Sequence, residues 1–215
     1  MTTDLLIRFD KLKKKYGGVT VLSVESVVLR HGDRVVISGE NGSGKSTLLK
    51  MLAGLANISE GDEVRTKHWK ELSVGFLPQD GGIYRDLTVR ENLAVVQRML
   101  GASVDYERSA DLATRFGLAS LLDKRVEALS GGFRRLAALF CLLCSGADLL
   151  FIDEPFASID PTKQKYIEDT LAELASKFQL VVKTAHSAAV NLNDQSFWQK
   201  HIKLGADDHA RDVQT

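Results

Sequence analysis

Apolar positions alternate with turn residues through the first part of the chain. Leu5 to Phe9, Val19 to Leu29 and Val35 to Ser38 carry the spacing of strands, broken by Gly17-Gly18 and by His31-Gly32-Asp33. At Lys45 the period changes: Leu48, Leu49, Met51 and Leu52 recur as on one face of a helix, and Gly54 is placed to stop it. A short strand is predicted around Leu72 to Leu77. Beyond it Thr88 to Leu100, Asp105 to Phe116 and Leu118 to Leu122 have helical spacing, and Thr88 with Glu91 three residues on makes a capping box. Another helical run begins at about Phe133. Strand-like runs return at Asp148 to Ile152, Leu180 to Thr184 and Phe197 to Leu204. A helix predicted over Pro161 to Lys177 separates the first two, and that β-α-β order implies parallel pairing.

The pattern describes an α/β protein: an N-terminal antiparallel β region, a mainly parallel sheet, and a helical insertion from about residue 83 to residue 145. With 215 residues, 44% of them hydrophobic, the chain is expected to form one domain over residues 1–215. The polar stretch Gly205 to Thr215 reads as a frayed tail. No apolar run reaches the roughly 18 residues that a membrane-spanning helix needs, and Met1 to Asp10 lacks the order of a secretion signal, so a cytoplasmic protein is expected. Lys plus Arg and Asp plus Glu number 28 each, which leaves no global charge to argue for nucleic acid or an anionic membrane surface. Cys141 and Cys144 have the spacing of a redox or zinc pair, but they sit in an apolar run with no second pair to complete four ligands. They read as buried helix residues.

Candidate chemistry concentrates at two strand ends. Gly39-Glu40-Asn41-Gly42-Ser43-Gly44-Lys45-Ser46-Thr47 follows the strand Val35 to Ser38 and opens a helix, the context that a phosphate loop requires. Its glycines let backbone N–H groups wrap a phosphate, and the helix N-terminus adds partial positive charge. Lys45 is placed to reach the outer phosphates, and Ser46 offers an oxygen to Mg²⁺. The second strand end is Leu149-Leu150-Phe151-Ile152-Asp153-Glu154-Pro155, an apolar run suited to burial on both faces that finishes in two carboxylates. Ligands of open α/β sheets lie beyond the carboxyl ends of the strands, so the two ends are expected to meet if their strands are neighbours. Asp153 would then hold Mg²⁺ and Glu154 would polarise the attacking water.

A third element narrows the class. Leu129-Ser130-Gly131-Gly132 precedes the helical run from Phe133, so its hydroxyl and N–H groups make a second anion cradle at a helix start. With the phosphate loop before it and the acidic strand end after it, the chain resembles the nucleotide-binding domain of ABC transporters over nearly its whole length. The resemblance implies a P-loop NTPase core that binds ATP and Mg²⁺ and hydrolyses ATP. It implies that Tyr16 stacks on adenine, that Gln79 touches Mg²⁺ and senses the membrane partner, and that His186 contacts the γ-phosphate. It further implies that Ser130, Gly131 and Gly132 face the ATP of an opposite subunit in a head-to-tail dimer, with Asp160 communicating between the two sites. The family commonly has a glutamine after the double glycine and an arginine three residues later, where this chain has Phe133 and Leu136. Arg134 and Arg135 could supply positive charge nearby, although their simplest reading is an exposed helix face.

The leading expectation is a transport motor subunit bound peripherally at the inner face of a membrane. It would dimerise with itself or with another ABC subunit and act on a separate transmembrane permease. The segment Gly81 to Leu93 is similar to the stretch after the glutamine in exporter-type subunits. The alternative is a soluble ATP switch acting on ribosomes or DNA, but such relatives usually carry two cassettes or long inserted modules, and neither feature is present in this sequence. A phosphotransferase using the same loop would have no role for the Ser130 to Gly132 cradle.

Overall fold

A computed structural model describes residues 4–101, 106–156, 159–186, 197–205 and 211–213. The chain opens with a long hairpin, β1 (Leu5–Tyr16) and β2 (Val19–Arg30), joined at Gly17-Gly18 and paired antiparallel from Ile7↔Leu29 to Tyr16↔Val19. The remaining elements in chain order are β3 (Arg34–Gly39), α1 (Lys45–Leu52), β4 (Glu60–Arg65), α2 (Lys67–Glu71), β5 (Val74–Leu77), α3 (Val89–Met99), α4 (Tyr106–Arg115), α5 (Gly131–Leu143), β6 (Leu149–Ile152), α6 (Pro161–Leu174), β7 (Leu180–His186), β8 (Lys200–Lys203) and β9 (Arg211–Val213). Among the described residues the strands form two sheets, one in the order β2-β1-β4 and one in the order β5-β6-β7-β3-β8-β9.

The second sheet is parallel from β5 to β8, and its apolar strands are buried on both faces, the pattern expected of parallel sheets. The period of two divides them cleanly. Leu150, Ile152 and Val181 join a cluster built on α5, with Leu93 of α3, Leu112 and Phe116 after it, and Ile167 and Leu171 of α6. Leu149, Phe151, Leu180 and Val182 point the other way, into a cluster with α1 and the N-terminal sheet. The sheet's carboxyl ends are thereby held from both sides. Thr88 N-caps α3, and both halves of the predicted capping box are present.

The fold departs from the sequence pattern at four points. The sequence offered no sign of β4, whose residues Glu-Gly-Asp-Glu-Val-Arg are polar and mostly exposed; backbone pairing to the edge of β1 defines it, which alternation cannot signal. The segment Leu118 to Leu122 forms only a 3₁₀ turn, Ala119–Leu121. The tail is not wholly frayed, because Arg211–Val213 adds an antiparallel edge strand to β8. Finally, β3 and β6 are not neighbours, since β7 lies between them. Cys141 and Cys144 form no disulfide among the described residues and are buried, as expected, and burial pushes the Cys141 thiol far above its ordinary range.

Candidate functional site

The loop after β3 is shaped by what its glycines lack. Gly44, the N-cap of α1, has φ of 90°, and a Cβ there would also stand 2.9 Å from Leu22 Cδ1. A Cβ on Gly39 would stand 2.3 Å from the Ser43 hydroxyl. That hydroxyl is buried without a hydrogen-bond partner, an unspent donor inside the loop that would cradle a phosphate. Asn41 and Gly42 are exposed at the loop's crest, while Ser46 and Thr47 are half-buried in the first turn of α1. Lys45 is buried, and its Nζ donates to the carbonyls of Gly39 (3.1 Å) and Glu40 (3.0 Å).

Although β7 intervenes, the two strand ends still meet. Parallel register sets Gly39 beside His186 and Ile152 beside Lys183, so Asp153 and Glu154 emerge level with the phosphate loop. Glu154 is the centre of the group. Its carboxylate lies 3.6 Å from Lys45 Nζ and 3.8 Å from His186 Nε2, and it accepts from Gln79 Nε2 at 3.1 Å. Asp153 is buried, and its Oδ1 accepts from the Thr184 hydroxyl at 2.6 Å. The same hydroxyl oxygen accepts from the Glu154 amide at 2.8 Å. In the sequence Thr184 reads as an ordinary strand threonine; the register puts it against the Asp153 carboxylate and the Glu154 amide.

Arg135 is the second residue misread. It is 7% exposed, not part of an exposed helix face, because α5 lies against the sheet ends and its second turn points into them. Its guanidinium donates to the carbonyls of Asp153 (2.6 Å), Pro78 (3.2 Å), Pro155 (3.4 Å), Glu154 and Gln79. Burial lowers its pKa from the ordinary value, opposed by the nearby carboxylates of Asp153, Glu154 and Asp80. Arg134 is half-buried and donates to the Leu129 carbonyl at 3.0 Å. Leu136, at the position where the family commonly has arginine, is buried in the α5 cluster, and the Phe133 ring lies under Lys163 Nζ at 4.9 Å.

Not every site residue named from the sequence joins this group. Tyr16 stands exposed at the end of β1 with Lys14 Nζ 5.1 Å from its ring centre. Ser130 caps α5, accepting from the Phe133 amide at 3.4 Å, and Gly131 beside it is exposed. Gly132 is half-buried in the first turn. Asp160 is exposed just before α6, its carbonyl accepting from the Gln164 amide. The donors available for a metal, the Ser46 hydroxyl, the Asp153 carboxylate and the Gln79 amide, are hard oxygens with one carboxylate among them. That set suits Mg²⁺, which keeps several waters and binds through one or two carboxylates plus phosphate oxygens.

A glycine cradle and a carboxylate pair at the carboxyl edge of a parallel sheet define a P-loop nucleotide-binding protein. The chain belongs to the ABC transporter family, whose sequence model matches residues 22–157. It is 35% identical over 192 residues to the Nod factor export ATP-binding protein I of Paraburkholderia xenovorans, a match covering 85% of this chain and 63% of that relative. To the tungstate uptake ATP-binding protein TupC of Peptoclostridium acidaminophilum it is 33% identical over 181 residues, 82% of this chain and 84% of that one. A solved structure of an ATP-binding subunit of an ABC transporter superposes with a TM-score of 0.75 at 26% identity, covering 93% of this chain and 85% of that chain. ATP binding follows from the family.

Proposed function

We propose that the chain is the ATP-hydrolysing motor subunit of a transporter, working as a head-to-tail dimer on a separate transmembrane partner at the inner face of a membrane. The convergence of Lys45, Gln79 and His186 on the Glu154 carboxylate is the observation that carries the reading. Glu154 is the group placed to take a proton from the attacking water. Asp153, held by Thr184, would hold the metal together with Ser46 and Gln79. Bound Mg²⁺ would supply charge neutralisation at the outer phosphates. Lys45 leaves its two carbonyls to bind those phosphates, and His186 reaches the terminal one. Ser130, Gly131 and Gly132 present a helix start outward, suited to an anion held by a second copy, and Asp160 lies at the loop that would connect the two sites. Residues 83–145 act as the helical subdomain within one domain.

Among the described residues no helix is long and apolar enough to cross a membrane, so the permease is supplied by other residues or another chain. Export is the proposed direction, resting on the segment Gly81 to Leu93 and on the Nod factor relative. The partner is expected to dock near Gln79 and α3. Isolation from membranes in mild detergent should bring an integral membrane protein with the chain. Lys45→Ala should leave that association intact, while changes at Tyr84 and Met99, exposed in this region, should weaken it. Isolation with no integral protein bound in several detergents would contradict the proposal.

Nucleotide choice rests on Tyr16, which offers a stacking face and no hydrogen-bond code. Competition between ATP and GTP should therefore show modest preference; discrimination beyond about a thousandfold, ~4 kcal/mol, would contradict this base site.

A further inference from the structure

We propose that Arg135 is a positioning residue that locks the Gln79 turn and the Glu154 turn into one unit, so that displacement of the first is transmitted to the second. The inference rests on the reading of Glu154 as the base, and it extends that reading to how the base is held and moved.

Three separate segments end at one guanidinium. Pro78 and Gln79 follow β5, Asp153 to Pro155 follow β6, and Arg135 itself lies one turn into the helix that begins at Gly131. The guanidinium donates to carbonyls of all five loop residues. A planar fork with five N–H donors suits this task, and an ammonium with three donors on a flexible stem could satisfy only part of it.

The segment it holds needs holding. Glu154 has φ of 46°, a left-handed conformation that is unfavourable for a non-glycine residue. The charge-assisted hydrogen bonds from Arg135 to the carbonyls on either side and at Glu154 itself hold the segment in that conformation. Thr184 secures the Glu154 amide from the opposite side. The left-handed turn aims the carboxylate back at Lys45, Gln79 and His186 rather than along the strand. On the other side, the Gln79 carbonyl is tied to the same guanidinium while its side chain touches the same carboxylate. A partner that moves the Gln79 turn therefore pulls on Glu154 through two routes, one of which is backbone to backbone through Arg135.

Arg135→Met and Arg135→Lys test this beside Glu154→Gln, each measured for MgATP affinity, steady-state hydrolysis, thermal unfolding and amide exchange. Removing an outer partner of a site typically costs about 10- to 100-fold. Arg135→Met is expected to lower kcat by that factor while KM and MgATP affinity stay within about threefold. The protected amides of Gly81, Asp153 and Glu154 should exchange faster together, with the rest of α5 unchanged. Arg135→Lys should restore part of both effects, and it carries the test if Arg135→Met does not fold. Unchanged exchange in either turn with normal kcat would overturn the proposal, as would loosening spread along α5 with kcat and KM moving together. If Glu154→Gln hydrolyses ATP normally while Arg135→Met still loosens both turns, the base assignment fails and the coupling stands.

Discussion

Glu154→Gln is expected to bind MgATP normally and to hydrolyse it about a hundred to ten thousand times more slowly, the loss typical of a missing general base and equivalent to about 3–5 kcal/mol of barrier. The substitution keeps the side chain's size and its capacity to accept from Gln79, and it removes the proton acceptor together with the negative charge facing Lys45. Asp153 cannot replace it. Its carboxylate is buried and committed to the Thr184 hydroxyl, while the left-handed backbone at Glu154 sets that side chain among Lys45, Gln79 and His186. Phosphate release by the purified protein, set against nucleotide binding by fluorescence titration, separates the two steps. Hydrolysis at the normal rate would remove Glu154 from the role of base.

Ser130→Arg is expected to abolish hydrolysis, by at least about a hundredfold, while leaving ATP binding to the single chain intact. Ser130 is not tied to the Lys45–Glu154 group, and its hydroxyl caps α5 from an exposed position. In the proposed head-to-tail dimer, a second copy brings this helix start against a bound phosphate. Ser130→Ala separates blocking from loss of the cap: it should cost about 1 kcal/mol of stability and leave most activity, because the backbone donors of Gly131 and Gly132 remain. Equal loss of activity in the two variants would mean that the cap, not a facing nucleotide, is what matters at Ser130.

Much of this site was legible before any fold was seen, because its chemistry is carried by short contiguous motifs. The phosphate loop lies in one stretch from Gly39 to Thr47, and the acidic strand end follows an apolar run that can only be a buried strand. The long helix periods were readable too, and the Thr88–Glu91 capping box formed as its spacing predicts. What escaped notice depends on register and approach. Thr184 acquires its role because β7 runs parallel beside β6 and places it opposite the residue after Ile152. Arg135 looks like half of an exposed basic pair, and only the packing of α5 against the sheet ends turns it inward to five carbonyls. β4 escaped for the reverse reason: its residues are mostly charged and exposed, so no apolar pattern marks it.

The proposed head-to-tail dimer, closing over ATP between its two copies, is tested most directly by sedimentation of Glu154→Gln with and without MgATP. Slow hydrolysis should trap the closed state, giving a monomer without nucleotide and a dimer with it, and adding Ser130→Arg should return the protein to the monomer at the same ATP concentration. A Glu154→Gln protein that binds ATP, fails to hydrolyse it and still sediments as a monomer at every ATP concentration would contradict the account.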